Sequence, residues 1–127
     1  MTRRIDLAAC AATCHCLTAR REAREISRLY DEQLRPYGVR ATQFSVLVAL
    51  AVASDAPLGA LADTLGMDRT TLTRSLALLG RKGWLAPAPS DDARERRMAL
   101  TAAGRRKLEQ AYPAWQRAQR MVEHQHA

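Results

Sequence analysis

Between residues 6 and 37 apolar side chains return every three to four positions: Ile26, Leu29, Tyr30, Leu34 and Tyr37 form one stripe, and Leu7, Cys10, Cys14 and Leu17 extend it backwards. No glycine interrupts this stretch and its one proline, Pro36, comes at the end, which predicts a single long helix over 6–37 stopped by Pro36 and Gly38. Thr42 is placed to cap a second helix from 43 to about 53, with Phe44, Val46, Leu47 and Leu50 buried. After a break at 54–57, Leu58, Leu61, Ala62 and Leu65 mark a short third helix that Gly66 closes. Asp68 caps a fourth, from 69 to about 82, which buries Leu72, Leu76 and Leu79 and ends at Gly83.

Beyond Gly83 the helical period disappears. Residues 84–89 and 97–100 read as two short strands around a charged tip at 90–96, and Pro87 and Pro89 confine the first strand to an edge. Thr101 caps a last helix carrying Leu108, Ala111, Tyr112, Trp115 and Val122, in which Pro113 should make a kink. The expected fold is therefore mostly α with a small β-hairpin, as a single domain over 1–127. It divides into an N-terminal helix at 6–37, a core at 42–100 and a C-terminal helix at 101–127.

Charge adds a direction to this plan. Residues 69–107 hold ten basic side chains against three acidic ones, while the rest of the chain balances ten against ten, so the whole net charge of +7 lies in one contiguous third. A localised basic surface suits a polyanion such as DNA. No apolar run approaches the roughly 20 residues needed to span a bilayer. Leu7-Ala8-Ala9-Cys10 imitates a lipoprotein processing site, but Arg3, Arg4 and Asp6 spoil the apolar stretch that export requires, so a cytoplasmic protein is expected.

Residues 58–82 have the layout of a helix-turn-helix: a short helix, a tight turn with glycine, and a second helix whose first turn is rich in hydrogen-bonding groups. Arg69, Thr70, Thr71, Thr73 and Arg74 supply them. A recognition helix enters the major groove by its N-terminal turn, where arginine matches guanine edges and threonine meets phosphates and thymine methyls. The charged tip that follows, with Arg94 and Arg96, has the chemistry of a wing that lays arginine in the adjacent minor groove. Two helices at this spacing also occur in ordinary bundles, so the hairpin carries much of the case.

These residues resemble the multiple-antibiotic-resistance regulator (MarR) family of dimeric winged helix-turn-helix proteins. The resemblance rests on Leu61-Ala62, Gly66, the run from Asp68 to Arg74, Gly83, and Asp92-Ala93-Arg94 followed by Leu100-Thr101-Ala102-Ala103-Gly104. It implies a homodimer whose N- and C-terminal helices pair, and a sequence-specific regulator of double-stranded DNA, commonly a repressor, relieved by a small molecule or an oxidant. It also implies a near-palindromic operator, Thr70, Thr71 and Arg74 at the major groove, Arg94 in the minor groove, and Asp92 orienting that arginine. Two departures stand out: Pro87 occupies a strand position that is usually basic, and the family's usual further C-terminal helix has no counterpart before Ala127.

The remaining candidates are Cys10, Cys14 and Cys16. On one continuous helix Cys16 would point about 200° away from Cys14, which argues against a shared metal, and no metal or other cofactor is expected. A branch of the resembled family senses hydroperoxides through a cysteine near the start of its first helix, which implies redox sensing at Cys14 or Cys16; plain packing in a dimer interface is the alternative. By the same resemblance Tyr30, Phe44 and Trp115 would line a cleft for an aromatic acid, although aromatic residues at helical spacing also serve as core. The inventory lacks a glycine-rich phosphate loop, paired carboxylates in an apolar setting, and a Ser, His and Asp set, so an enzyme is not expected. The competing reading is a winged-helix module that binds protein and not DNA.

Overall fold

A computed structural model describes residues 3–54, 56–88 and 97–125. Its helices are α1 (Leu7–Thr13), α2 (His15–Leu34), α3 (Ala41–Val52), α4 (Leu58–Leu65), α5 (Arg69–Arg81) and α6 (Ala102–Gln125). A 3-10 turn, Arg35–Tyr37, follows α2, and strands β1 (Leu85–Pro87) and β2 (Met98–Leu100) lie between α5 and α6.

The single N-terminal helix expected over 6–37 is interrupted. Cys14 is extended (φ −67°, ψ 110°), separating α1 from α2. Asp6 caps α1 through the Ala9 N–H, and the Thr13 hydroxyl donates back to the Ala9 carbonyl at 2.7 Å, so local bonds close α1 off. No residue of α1 is buried against the described residues. Of the earlier part of the apolar stripe Cys14 and Leu17 are half-buried, like Ile26, whereas Cys10 is exposed and Leu7 is 69% exposed. At the other end, Pro36 sits in the 3-10 turn and Gly38 takes the left-handed φ of 71°, as the stop at Pro36 and Gly38 predicts.

The start of α3 also corrects the reading of Thr42. The helix begins two residues earlier, at Ala41, whose N–H donates to Asp31 Oδ1 on α2 at 2.7 Å, and the Arg40 N–H donates to Gln43 Oε1 at 3.0 Å. A carboxylate remote in sequence thus does the capping, and so ties α3 to α2.

Two apolar clusters result. One joins Val46, Leu47 and Leu50 of α3 to Leu61 of α4, Leu72, Leu76 and Leu79 of α5, and Leu85 of β1. The other joins Leu34, Val39 and Phe44 to Ala111 and Ala114 of α6, which packs along α2. Trp84 touches both, and so does Leu108. The strands pair antiparallel with Leu85 opposite Leu100, Ala86 opposite Ala99 and Pro87 opposite Met98, and the Ala88 N–H reaches the Arg97 carbonyl at 2.8 Å.

Thr101 opens α6 as expected. Its hydroxyl donates to the Gly83 carbonyl at 2.6 Å and accepts the Gly104 N–H at 3.0 Å, fastening the end of α5 to the start of α6. The helix then runs unbroken through Pro113. No helix among the described residues is long and apolar enough to cross a membrane.

Candidate nucleic-acid interface

The first turn of α5 is built by its cap. Asp68 Oδ1 accepts the Thr71 N–H at 2.7 Å. That hydrogen bond, followed by those of the Thr71 hydroxyl and the Thr70 N–H and by the charge of Arg74, holds the Asp68 carboxyl below its ordinary range against a small cost of burial. The preceding turn closes at Gly66, at φ 64°, with the Met67 N–H on the Ala62 carbonyl at 2.9 Å. With Leu72 and Leu79 fully buried and Leu76 nearly so, one face of α5 is fixed against α3 and α4.

The opposite face is then determined by helical geometry. Thr70 and Arg74 point away from the leucine stripe, Thr71 and Thr73 flank it on either side at roughly 90–110°, and Arg69 lies nearest to it. All five are exposed. The Thr73 hydroxyl donates to the Arg69 carbonyl at 2.8 Å, so its proton is spent within the helix and its oxygen and methyl remain for a partner. Arg69 lies back over α4: a Cβ built on Gly59 would come within 2.7 Å of its Nη2. The sequence reading missed Gly59, because nothing in a helical pattern reveals which side chain crosses it.

Not every basic residue of 69–107 is available to a polyanion. Lys82 and Lys107 place their ammonium groups 4.9 and 5.7 Å from the centroid of the Trp84 ring, and Lys107 also donates to the Tyr37 carbonyl at 2.9 Å. Arg105 pairs with Glu109 at 3.2 Å. The wing candidates Asp92, Arg94 and Arg96 lie outside the described residues.

A model of the MarR family matches residues 37–95. The chain is 44% identical to the transcriptional regulator MosR of M. tuberculosis as solved in complex with DNA, covering 86% of this chain and 80% of that one with a TM-score of 0.76. This chain belongs to the MarR family. Escherichia coli MarR, in a variant solved with operator DNA, is 28% identical over 83% of this chain and 76% of that one, with a TM-score of 0.75. An uncharacterised helix-turn-helix-type transcriptional regulator of Bacillus subtilis (strain 168), YwoH, is 31% identical over 88 residues, which make up 69% of this chain and 64% of the relative.

In this MarR-family chain the aromatic candidates separate. Phe44 and Trp115 stack at 6.2 Å and, with Val48, Val52, Leu65 and Tyr112, line a cleft of about 380 Å³ between α3, α4 and α6. Tyr112 stacks on Trp115 at 5.6 Å and is half-exposed; its place three residues before Trp115 on the same helix was the available signal. Tyr30 does not line that cleft. Its hydroxyl donates to Gln119 Oε1 on α6, and burial, then the charge of Glu123, push its phenol up so that it stays a donor. Cys10 and Cys16 are exposed and Cys14 half-buried, all as free thiols, and Arg20 Nη2 lies 3.6 Å from Cys16 Sγ.

Proposed function

We propose that this chain is a sequence-specific regulator of transcription that binds double-stranded DNA as a homodimer in the cytoplasm, inserting the first turn of α5 into the major groove. One observation carries the reading: the packing of Leu72, Leu76 and Leu79 leaves Thr70, Thr71, Thr73, Arg74 and Arg69 together on the exposed turn of a helix-turn-helix. Two family members of matching fold were solved with DNA, which supports the same use here. In a dimer the two α5 helices would meet major grooves one turn apart, roughly 34 Å. Asp92, Arg94 and Arg96 are assigned to the wing contact. The reading includes repression relieved by an effector, either an oxidant acting at Cys14 or Cys16 or an aromatic acid held by Phe44, Tyr112 and Trp115.

Selection of bound duplexes from a random pool tests the proposal. The expected product is a near-palindrome whose half-sites are about one helical turn apart, bound with an affinity that falls steeply as salt rises because phosphate contacts release counterions. Recovery of no motif, together with weak binding that hardly responds to salt, would replace this reading with the protein-binding one.

A further inference from the structure

The two arginines that open α5 are held differently. Arg74 points away from the core and its charge is felt by the capping Asp68. Arg69 is folded across the first turn of α4, where a Cβ on Gly59 would lie 2.7 Å from Nη2, 3.5 Å from Cζ and 3.7 Å from Nε. The guanidinium therefore occupies the space that any other residue at position 59 would fill. A planar fork of donors thus lies against Gly59, and among the described residues no carboxylate or carbonyl takes its protons.

We propose that Gly59 is a positioning residue that seats Arg69 on α4 for a contact with the DNA backbone, so that Arg69 binds phosphate while Arg74 reads bases. The inference rests on the DNA-binding reading above. In a helix-turn-helix the first helix crosses the sugar-phosphate backbone while the start of the second enters the groove. An arginine lying on the first helix accordingly faces phosphates, and its fork matches two phosphate oxygens at once. Register and orientation come from such contacts, and sequence preference from base edges. The ten basic residues of the 69–107 segment thus include side chains of distinct duty that charge alone does not separate.

Gly59 makes a clean probe. Alanine is the better helix former, so Gly59→Ala should fold at least as well while its methyl pushes the guanidinium off its seat. The experiment measures affinity over a range of salt for the full-length chain on two probes, the duplex recovered by selection and a scrambled duplex of equal length. Arg69→Ala should weaken both alike, by about tenfold, and make the slope of log affinity against log salt shallower by about 0.9. Arg69→Lys should restore most of the slope, since it returns the charge without the fork. Gly59→Ala should lose affinity on both duplexes with no fall in melting temperature, and should add little to Arg69→Ala in the double variant. Arg74→Ala should instead lose the preference for the selected duplex.

A loss of preference at unchanged slope in Arg69→Ala would make Arg69 a base reader and overturn the proposal. So would independent, additive losses from Gly59→Ala and Arg69→Ala. If the unaltered chain shows neither preference nor salt dependence, the DNA-binding reading fails first, and a wild type that binds normally separates the two cases.

Discussion

Replacing Gly104 by alanine probes the joint between α5, the hairpin and α6. A Cβ there would lie 2.2 Å from the Trp84 carbonyl oxygen, 3.1 Å from its carbon and 2.8 Å from Leu100 Cδ1. The leucine methyl can rotate away. The carbonyl cannot, because it accepts the Thr101 N–H at 3.0 Å while the Trp84 N–H is held by the Leu79 carbonyl at 3.1 Å. The oxygen is about 1 Å inside an ordinary carbon–oxygen contact, so α6 must move outward. Overpacking of this kind costs about 1–3 kcal/mol, and the shift strains the Thr101 cap, worth about 1 kcal/mol. Against that, alanine returns up to about 1 kcal/mol of helix preference. The net expectation is a loss of about 1–3 kcal/mol, or roughly 4–12 °C in melting temperature for a chain of this size. The melt is followed by circular dichroism at one fixed protein concentration, since the midpoint of a chain that dimerises depends on concentration. Gly80→Ala is the control: its Cβ would meet Met98 Cε at 3.5 Å, an ordinary contact, so that variant should melt at or above the original temperature. A Gly104→Ala chain that melts with or above the unaltered one would refute the steric account of this glycine.

Further outcomes follow from neighbouring bonds. Thr101→Val keeps the shape but removes the hydroxyl that links Gly83 to Gly104, and should cost about 1–2 kcal/mol in urea unfolding; an unchanged midpoint would show that the cap is solvated without penalty. Asp68 has its pKa lowered from the ordinary 3.8, so its contribution to stability is complete above that value and is lost as the pH falls through the lower folded value. Asp68→Asn, which can still cap, should therefore flatten the acid end of the stability profile, and superimposable acid limbs would remove Asp68 from it. Peroxide should release DNA from the unaltered chain and not from Cys14→Ser combined with Cys16→Ser; equal responses would leave these cysteines a packing role.

The segments that obey a period were legible in the sequence. Leu58 to Gly83 has its leucines at helical spacing, its caps at Asp68 and its left-handed stops at Gly66 and Gly83, and each of these is a local decision between a side chain and the nearest backbone. The order of elements and the exposed face of α5 follow from them. What depended on partners remote in sequence was not legible. Asp31, and not Thr42, meets the first N–H of α3 because packing α3 against α2 delivers a carboxylate there. The long N-terminal stripe breaks at Cys14 because nothing among the described residues buries α1, and an apolar period does not say whether a surface exists to receive it. Tyr30 turns to Gln119 and Tyr112 enters the cleft beside Trp115, since the packing of α6 along α2 and α3 decides which aromatic faces which. Sequence placed Arg69 on the exposed turn of α5 by spacing alone. That its guanidinium lies on Gly59 was settled only when two helices were brought together, because a side chain's direction is chosen by the space its neighbours leave.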